Sequence, residues 1–271
     1  MSSEQGRPRM KSEVTGKGNP VVLVPGGLTG WLSWEPHAEL LSKEYKVTRV
    51  QLLSVDLGLQ SKPLPPNYSV DYETQALKNT LDELKITQAD LAAWSYGAEI
   101  TLNFAINNPN RVRTLTLIEP PAIWVLKSQG SLSEKVLAEQ EQIQKLGPSD
   151  INEDQLIWFT HFAGFVPQNV DPRTLPQWPS WLKHRQSLRT QDVVFRNEDS
   201  IERVRDFSKP VLLFKGEGSS DFLHQIIDIL GKEFPNVQVE ILPGGHAPQI
   251  VSMEQFMKIF NTFLETHQNQ I

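Results

Sequence analysis

Three short stretches of the chain carry residue types that could do chemistry together. The first is Ala93-Trp94-Ser95-Tyr96-Gly97, where a buried apolar run gives way to a helical one. A serine on so sharp a strand-to-helix turn is pushed clear of its strand. Small residues two before and two after it let strand and helix approach. Ala93 and Gly97 meet that need, and the helix N-terminus behind Ser95 favours developing negative charge. Taken alone, the string fits a capping serine at least as well. The second stretch is Gly245-His246-Ala247-Pro248, late in the chain, between an apolar run and an apolar helix. A histidine there lies at a strand's C-terminal end and could take a proton from Ser95. His37, His161, His184, His224 and His267 lack such a setting. The third is Pro25-Gly26-Gly27, after the first buried run. The N–H of Gly27, with Leu28 as the alternative, could join the N–H of Tyr96 in an oxyanion hole.

The elements that must position these residues follow from hydrophobic periodicity. Val21–Val24, Val47–Leu53, Asp90–Trp94, Val112–Ile118, Val211–Phe214 and Val237–Leu242 read as strands. Several are continuous apolar runs, as parallel strands buried on both faces are. Tyr72–Lys85, Ala98–Asn108, Phe222–Phe234 and Met253–Leu264 read as helices, with Leu77, Leu81 and Leu84 on one face of the first. Alternation of this kind predicts an α/β, doubly wound, mostly parallel sheet. Right-handed crossovers then gather the strands' C-terminal ends, and the loops after them, on one edge. Residues 1–18 read as a flexible N-terminal tail, with one short strand near Met10–Val14. The rhythm breaks over residues 122–207, where no buried strand pattern occurs. Helical patterns at Leu132–Leu146 and Glu153–Ala163, then a Pro- and Trp-rich run to Trp181, predict a helical cap. It is inserted into a core made of residues 19–121 and 208–271.

Bulk properties narrow the function classes. With 26 Lys+Arg against 32 Asp+Glu in 271 residues, the net charge is −6. Nothing in that balance offers a basic surface to nucleic acid. The absence of cysteine removes disulfides and thiolate metal sites, and suits a reducing, cytoplasmic setting. No apolar window is long enough to cross a membrane, so no membrane insertion is expected. No phosphate-binding loop, dinucleotide fingerprint or metal-ligand cluster is present, so neither metal nor cofactor is expected. The partner is a small-molecule substrate, and the oligomeric state is left open.

Val22-Leu23-Val24-Pro25-Gly26-Gly27, Ala93-Trp94-Ser95-Tyr96-Gly97-Ala98 and Gly244-Gly245-His246-Ala247-Pro248 together resemble the α/β-hydrolase superfamily. The resemblance covers about residues 15 to 265. It implies an eight-stranded sheet, a lid, and acyl transfer through a Ser–His–acid triad. The family's usual acid follows the seventh strand, a position held here by Ser219, with Asp221 two residues later. In relatives such as the haloalkane dehalogenases the acid ends the sixth strand, where this chain has Glu119. A carboxylate placed directly after a buried run is costly unless paired. Glu119 is therefore preferred as the acid over Asp221, which could as easily cap the helix from Phe222. A purely structural Glu119, holding backbone N–H groups under the cap, is the competing reading. Pro25 stands where the family commonly has His, and Val55-Asp56-Leu57-Gly58 is an imperfect Asp-x-x-Gly loop.

The expected chemistry is hydrolysis of a carboxylic ester, thioester or lactone through an acyl-enzyme on Ser95. A serine nucleophile argues against dehalogenase or epoxide hydrolase chemistry, which needs a carboxylate there. Leu28, Trp94, Trp124, Trp158 and Trp178 are the candidate pocket residues, and Trp181 also lies in the cap. The cap tryptophans fit equally a role in packing the lid on the sheet. Two other readings use the same scaffold. One is a small-ligand receptor that keeps the triad; the other is a lyase or cofactor-free oxygen enzyme.

Overall fold

The computed structural model describes residues 7–130, 132–134, 136–138, 141 and 150–268. Seven strands form one sheet: β1 (Lys11–Thr15), β2 (Pro20–Val24), β3 (Lys46–Gln51), β4 (Ala89–Trp94), β5 (Val112–Ile118), β6 (Val211–Gly216) and β7 (Val237–Leu242). Their order is β1-β3-β2-β4-β5-β6-β7. All pairs are parallel except β1 with β3. The described residues thus hold seven strands where the resemblance implies eight. Residues 1–6 lie outside the described residues, but the expected tail is too long at its other end. Lys11–Thr15 pair with Val47–Gln51 along the sheet edge, and Met10 is buried.

Alternate side chains of the strands feed two cores, as the period of two requires. Val22, Val24, Leu91, Ala93, Leu115, Leu117, Val211 and Leu213 pack on one face. Val21, Leu23, Ala92, Trp94, Leu212 and Phe214 pack on the other. Helices cover both faces. The first face carries α2 (Leu53–Leu59), α3 (Val70–Glu83), α4 (Tyr96–Asn107) and α10 (Asp221–Glu233). The second is covered by α1 (Glu35–Leu41) and α12 (Met253–His267), through Ala38, Leu41, Phe256 and Phe260. The chain is doubly wound, and every parallel strand ends on the same edge.

The expected strand over Val47–Leu53 stops two residues early. Leu53 opens α2 instead, because the buried carboxylate of Glu73 accepts the N–H groups of Leu53 (3.0 Å) and Ser54 (2.8 Å). Those are first-turn amides that a helix leaves unpaired, and here a distant side chain takes them.

Between β5 and β6 the described chain is helical. It contains α5 (Ile123–Ser128), α6 (Glu153–Phe162), α7 (Trp178–His184), α8 (Gln191–Arg196) and α9 (Ile201–Arg205), and no strand among the described residues. A tight 3-10 stretch, Arg185–Thr190, joins α7 to α8. The start of α6 has a full capping box: Asn152 and Gln155 exchange side-chain and backbone hydrogen bonds. The helix expected at Leu132–Leu146 lies mostly outside the described residues. A short helix, α11 (Pro248–Val251), follows β7.

Candidate active site

Register alone sets the distances that matter. Trp94 pairs with Ile118, Ile118 with Phe214, and Gly216 with Leu242. Ser95 and Glu119 are therefore each one residue past adjacent strands, and His246 follows four residues after β7. All three emerge at the edge where the parallel strands end.

Ser95 adopts φ 54° and ψ −129°, the strained conformation that a nucleophile elbow requires. The space around it is tight. A Cβ on Gly97 would lie 2.2 Å from the Pro25 carbonyl oxygen, and one on Gly26 would lie 3.1 Å from Ser95 Cβ. A side chain at position 97 would force the backbone of the loop to move, and one at position 26 would press Ser95 and the Trp94 ring aside by a few tenths of an ångström. The N–H of Ser95 donates to the Ile118 carbonyl (2.9 Å), which ties the elbow to β5. Tyr96 opens α4, so its amide is one that the helix leaves without an internal acceptor.

His246 sits between Ser95 and Glu119. Its Nε2 is 2.8 Å from Ser95 Oγ, and its Nδ1 is 2.6 Å from Glu119 Oε2. A carboxylate can only accept, so Nδ1 carries the proton and Nε2 is left to accept from the serine hydroxyl. Glu119 is fully buried and has the second positive φ of the site, 46°. Its Oε1 accepts the Gly216 N–H (2.7 Å), and its Oε2 accepts the Ser219 hydroxyl (2.7 Å) as well as His246. A charge at that depth thus has a donor on each oxygen, the condition that burial demands. Asp221 is exposed at the first turn of α10 and is not brought to His246.

The imidazole is also held by its backbone. The indole Nε1 of Trp94 donates to the His246 carbonyl (2.6 Å), and the His246 N–H donates to Gly164 of the segment after α6 (3.0 Å). Phe165 meets the imidazole edge-on, with ring centres 4.8 Å apart.

Two adjoining lobes open on Ser95. One is walled by Ile123, Phe159, Phe162, Val194, Phe222 and Leu223, with His246 at its base. The other is walled by Gly26, Gly27, Leu28, Ser187, Thr190 and Gln191. Ser95, Tyr96, Phe159 and Gln191 border both, and among the described residues no Lys, Arg, Asp or Glu lines either. Gly27, Leu28 and Tyr96, the expected oxyanion donors, all border the smaller lobe beside Ser95.

Of the expected pocket residues, Leu28 and Trp94 border that smaller lobe. Trp124, Trp158 and Trp178 border neither. Trp124 and Trp178 are buried in the apolar core that the sheet shares with the helices between β5 and β6, and Trp158 stacks on Phe162 with ring centres 5.0 Å apart. Trp181 meets Phe165 instead. Phenylalanines do the lining that tryptophans were expected to do. Phe159 and Phe162, three apart on α6, could have been read as one helical face aimed at the sheet edge. Ser219 was visible only as the residue standing where an acid was looked for. Ser187 gave no signal in sequence.

A family model described as alpha/beta hydrolase fold matches residues 19–252, and the chain belongs to that family. A 2-hydroxy-6-oxo-2,4-heptadienoate hydrolase of Pseudomonas putida is 37% identical over 106 residues, 38% of this chain and 38% of that protein. The chain thus matches well under half of that relative's length. Carboxylesterase YbfK of Bacillus subtilis is 24% identical over 242 residues, 87% of this chain and 75% of that protein. Among solved structures, a hydrolase from Pseudomonas aeruginosa superposes with a TM-score of 0.76 at 16% identity, over 94% of each chain. That last likeness is one of fold.

Proposed function

We propose that this chain is a serine hydrolase that cleaves a carboxylic ester, thioester or lactone through an acyl-enzyme on Ser95. The observation that carries the reading is the unbroken hydrogen-bonded line Ser95–His246–Glu119 opening onto a cavity whose described walls are mostly apolar. In this reading the serine hydroxyl attacks the carbonyl carbon while His246 Nε2 takes its proton. The oxyanion is held by the N–H groups of Gly27 and Tyr96. His246 then returns the proton to the leaving oxygen or sulfur, and next takes one from water as it attacks the acyl-enzyme. Glu119 keeps the imidazole in the Nδ1–H tautomer and faces the positive charge that forms on it. The chemistry uses side chains and water alone. The substrate is of small to medium size and partly apolar, and residues 122–207 act as a cap over the core. Carboxylesterase names among the relatives favour the same reaction class.

The test is labelling by a fluorophosphonate probe, mapped by mass spectrometry, on the wild type, Ser95→Ala, Glu119→Gln and Asp221→Asn. The expected result is modification at Ser95, slowed in Glu119→Gln and not in Asp221→Asn. A folded wild type that stays unmodified at Ser95 would instead favour the small-ligand receptor.

A further inference from the structure

The smaller lobe contains a polar group that the proposed mechanism does not use. Ser187 is 2% exposed, and its Oγ has no hydrogen-bond partner among the described residues. A hydroxyl buried in that way costs free energy unless something outside the chain completes it. Its direction is known from its neighbour: a Cβ on Gly27 would lie 3.2 Å from Ser187 Oγ. The hydroxyl therefore faces the loop proposed to hold the oxyanion, in the lobe that Ser95 also borders.

The surroundings fix it there. The 3-10 stretch Arg185–Thr190 is tied down on several sides. Arg185 Nε donates to the Ile151 carbonyl (2.8 Å), and Gln186 Oε1 accepts the Ile151 N–H (2.9 Å). Arg189 Nη2 donates to the Lys62 carbonyl beyond α2 (2.8 Å), and the Thr190 hydroxyl donates to the Ser187 carbonyl (3.0 Å). Gly58 explains how the stretch comes so close to α2. A Cβ on it would lie 3.2 Å from Gln186 Cβ and 3.3 Å from the Ser187 N. The incomplete Asp-x-x-Gly sequence thus has a use: its glycine is the seat on which the stretch carrying Ser187 rests.

We infer that Ser187 determines specificity, its hydroxyl hydrogen-bonding an uncharged oxygen (carbonyl, hydroxyl or ether) on the substrate portion that fills the smaller lobe. The described lining of that lobe is made of uncharged residues, and that selects the class. A carboxylate there would be desolvated with no cation to face it, whereas a neutral oxygen needs only the donor that Ser187 supplies. The inference rests on the hydrolase reading and adds to it the kind of substrate.

The experiment compares ethyl butanoate with ethyl 2-oxobutanoate, oxygenated on the acyl side, and with 2-hydroxyethyl butanoate, oxygenated on the alcohol side. For each oxygenated ester the quantity read is its kcat/KM relative to ethyl butanoate, in the wild type, Ser187→Ala and Ser187→Cys. Intrinsic reactivity differences cancel between enzymes. One of the two ratios should fall about threefold to tenfold in Ser187→Ala and less in Ser187→Cys, the loss expected for one neutral hydrogen bond. Removal of a partnerless hydroxyl should leave Tm unchanged or higher. Both ratios unchanged, or a Tm lowered by several degrees, overturns the inference, since the hydroxyl would then be idle or structural. Failure of the wild type to hydrolyse any of the three, with Ser95 unlabelled by fluorophosphonate, is a different result: it removes the hydrolase reading beneath the inference.

Discussion

The sheet-edge wall of the site and the wall facing it differ in how their polar atoms are occupied. On the sheet edge, Ser95, His246 and Glu119 form one connected line of hydrogen bonds, and the Ser219 hydroxyl and Gly216 amide both donate to its Glu119 end. On the facing side, apolar rings dominate and the Ser187 hydroxyl is left without a partner among the described residues. A wall whose groups hold one another is fixed before anything binds, which suits chemistry that depends on orientation. A wall with an open hydrogen-bonding group is completed by what it binds, which suits recognition.

The sharpest way to test that contrast is to cut the line at its nucleophile. Ser95→Ala should lower kcat by about 10⁴-fold or more on every ester, since members of such a unit fail together. Glu119→Gln comes next. An amide that offers N–H to His246 stabilises the wrong tautomer, and kcat should fall about 10³- to 10⁴-fold. A parallel Asp221→Asn enzyme that loses as much would break the assignment of the acid. Ser219→Ala removes one of the donors on Glu119 Oε2 and should cost roughly tenfold in kcat with KM little changed. A loss in KM alone would mean that Ser219 touches substrate instead. In the apolar wall of the larger lobe, Phe222→Ala should act mainly on KM for long acyl or alkyl chains, by about tenfold, with little effect on the shortest esters.

The weakest effect lies at the joint between the walls. Glu99, one turn along α4 from Ser95, is buried against the segment that returns from the cap. Its Oε1 accepts the Asn197 side-chain N–H (3.0 Å), while Oε2 has no partner among the described residues. Burial holds the Glu99 carboxyl well above the ordinary glutamate value of 4.5, with the Asn197 hydrogen bond and the Lys127 charge opposing. The folded state therefore keeps a proton that the unfolded chain gives up. This stability contribution is complete below the ordinary value and is lost as pH rises toward the folded one. Glu99→Gln should remove that slope, so its gain in Tm over the wild type should be larger near pH 8 than near pH 5. A gain independent of pH would show that Glu99 does not titrate with folding.

Several parts of the fold could be read directly. The placement of Ser95 and His246 in the fold was legible because a strained strand-to-helix turn and a histidine after a last strand leave local marks: small residues, glycines, and a switch of hydrophobic period. The parallel core was legible because strands buried on both faces are continuous apolar runs. The start of α2 was not, since the group that caps it, Glu73, is distant in sequence. Trp124, Trp158 and Trp178 were expected in the pocket lining and border neither lobe, for a related reason. Size and apolarity single out tryptophans, but which ring faces a cavity depends on how cap helices are rotated against the sheet.

What the sequence determined by itself is the alternation of strands and helices, and the order in which its serine and histidine arrive at the edge where the parallel strands end. The choice among its carboxylates was left to tertiary structure. Glu119 and Asp221 are both plausible by position along the chain, and only the pairing of β4, β5, β6 and β7 brings Glu119, not Asp221, to His246. The same holds for Ser187, whose direction depends on glycines at 27 and 58 that lie far from it in the chain. The physical reason is common to both. Local pattern reports on a residue's own backbone, while a side chain's partners come from segments that meet only when the sheet and its cover have assembled.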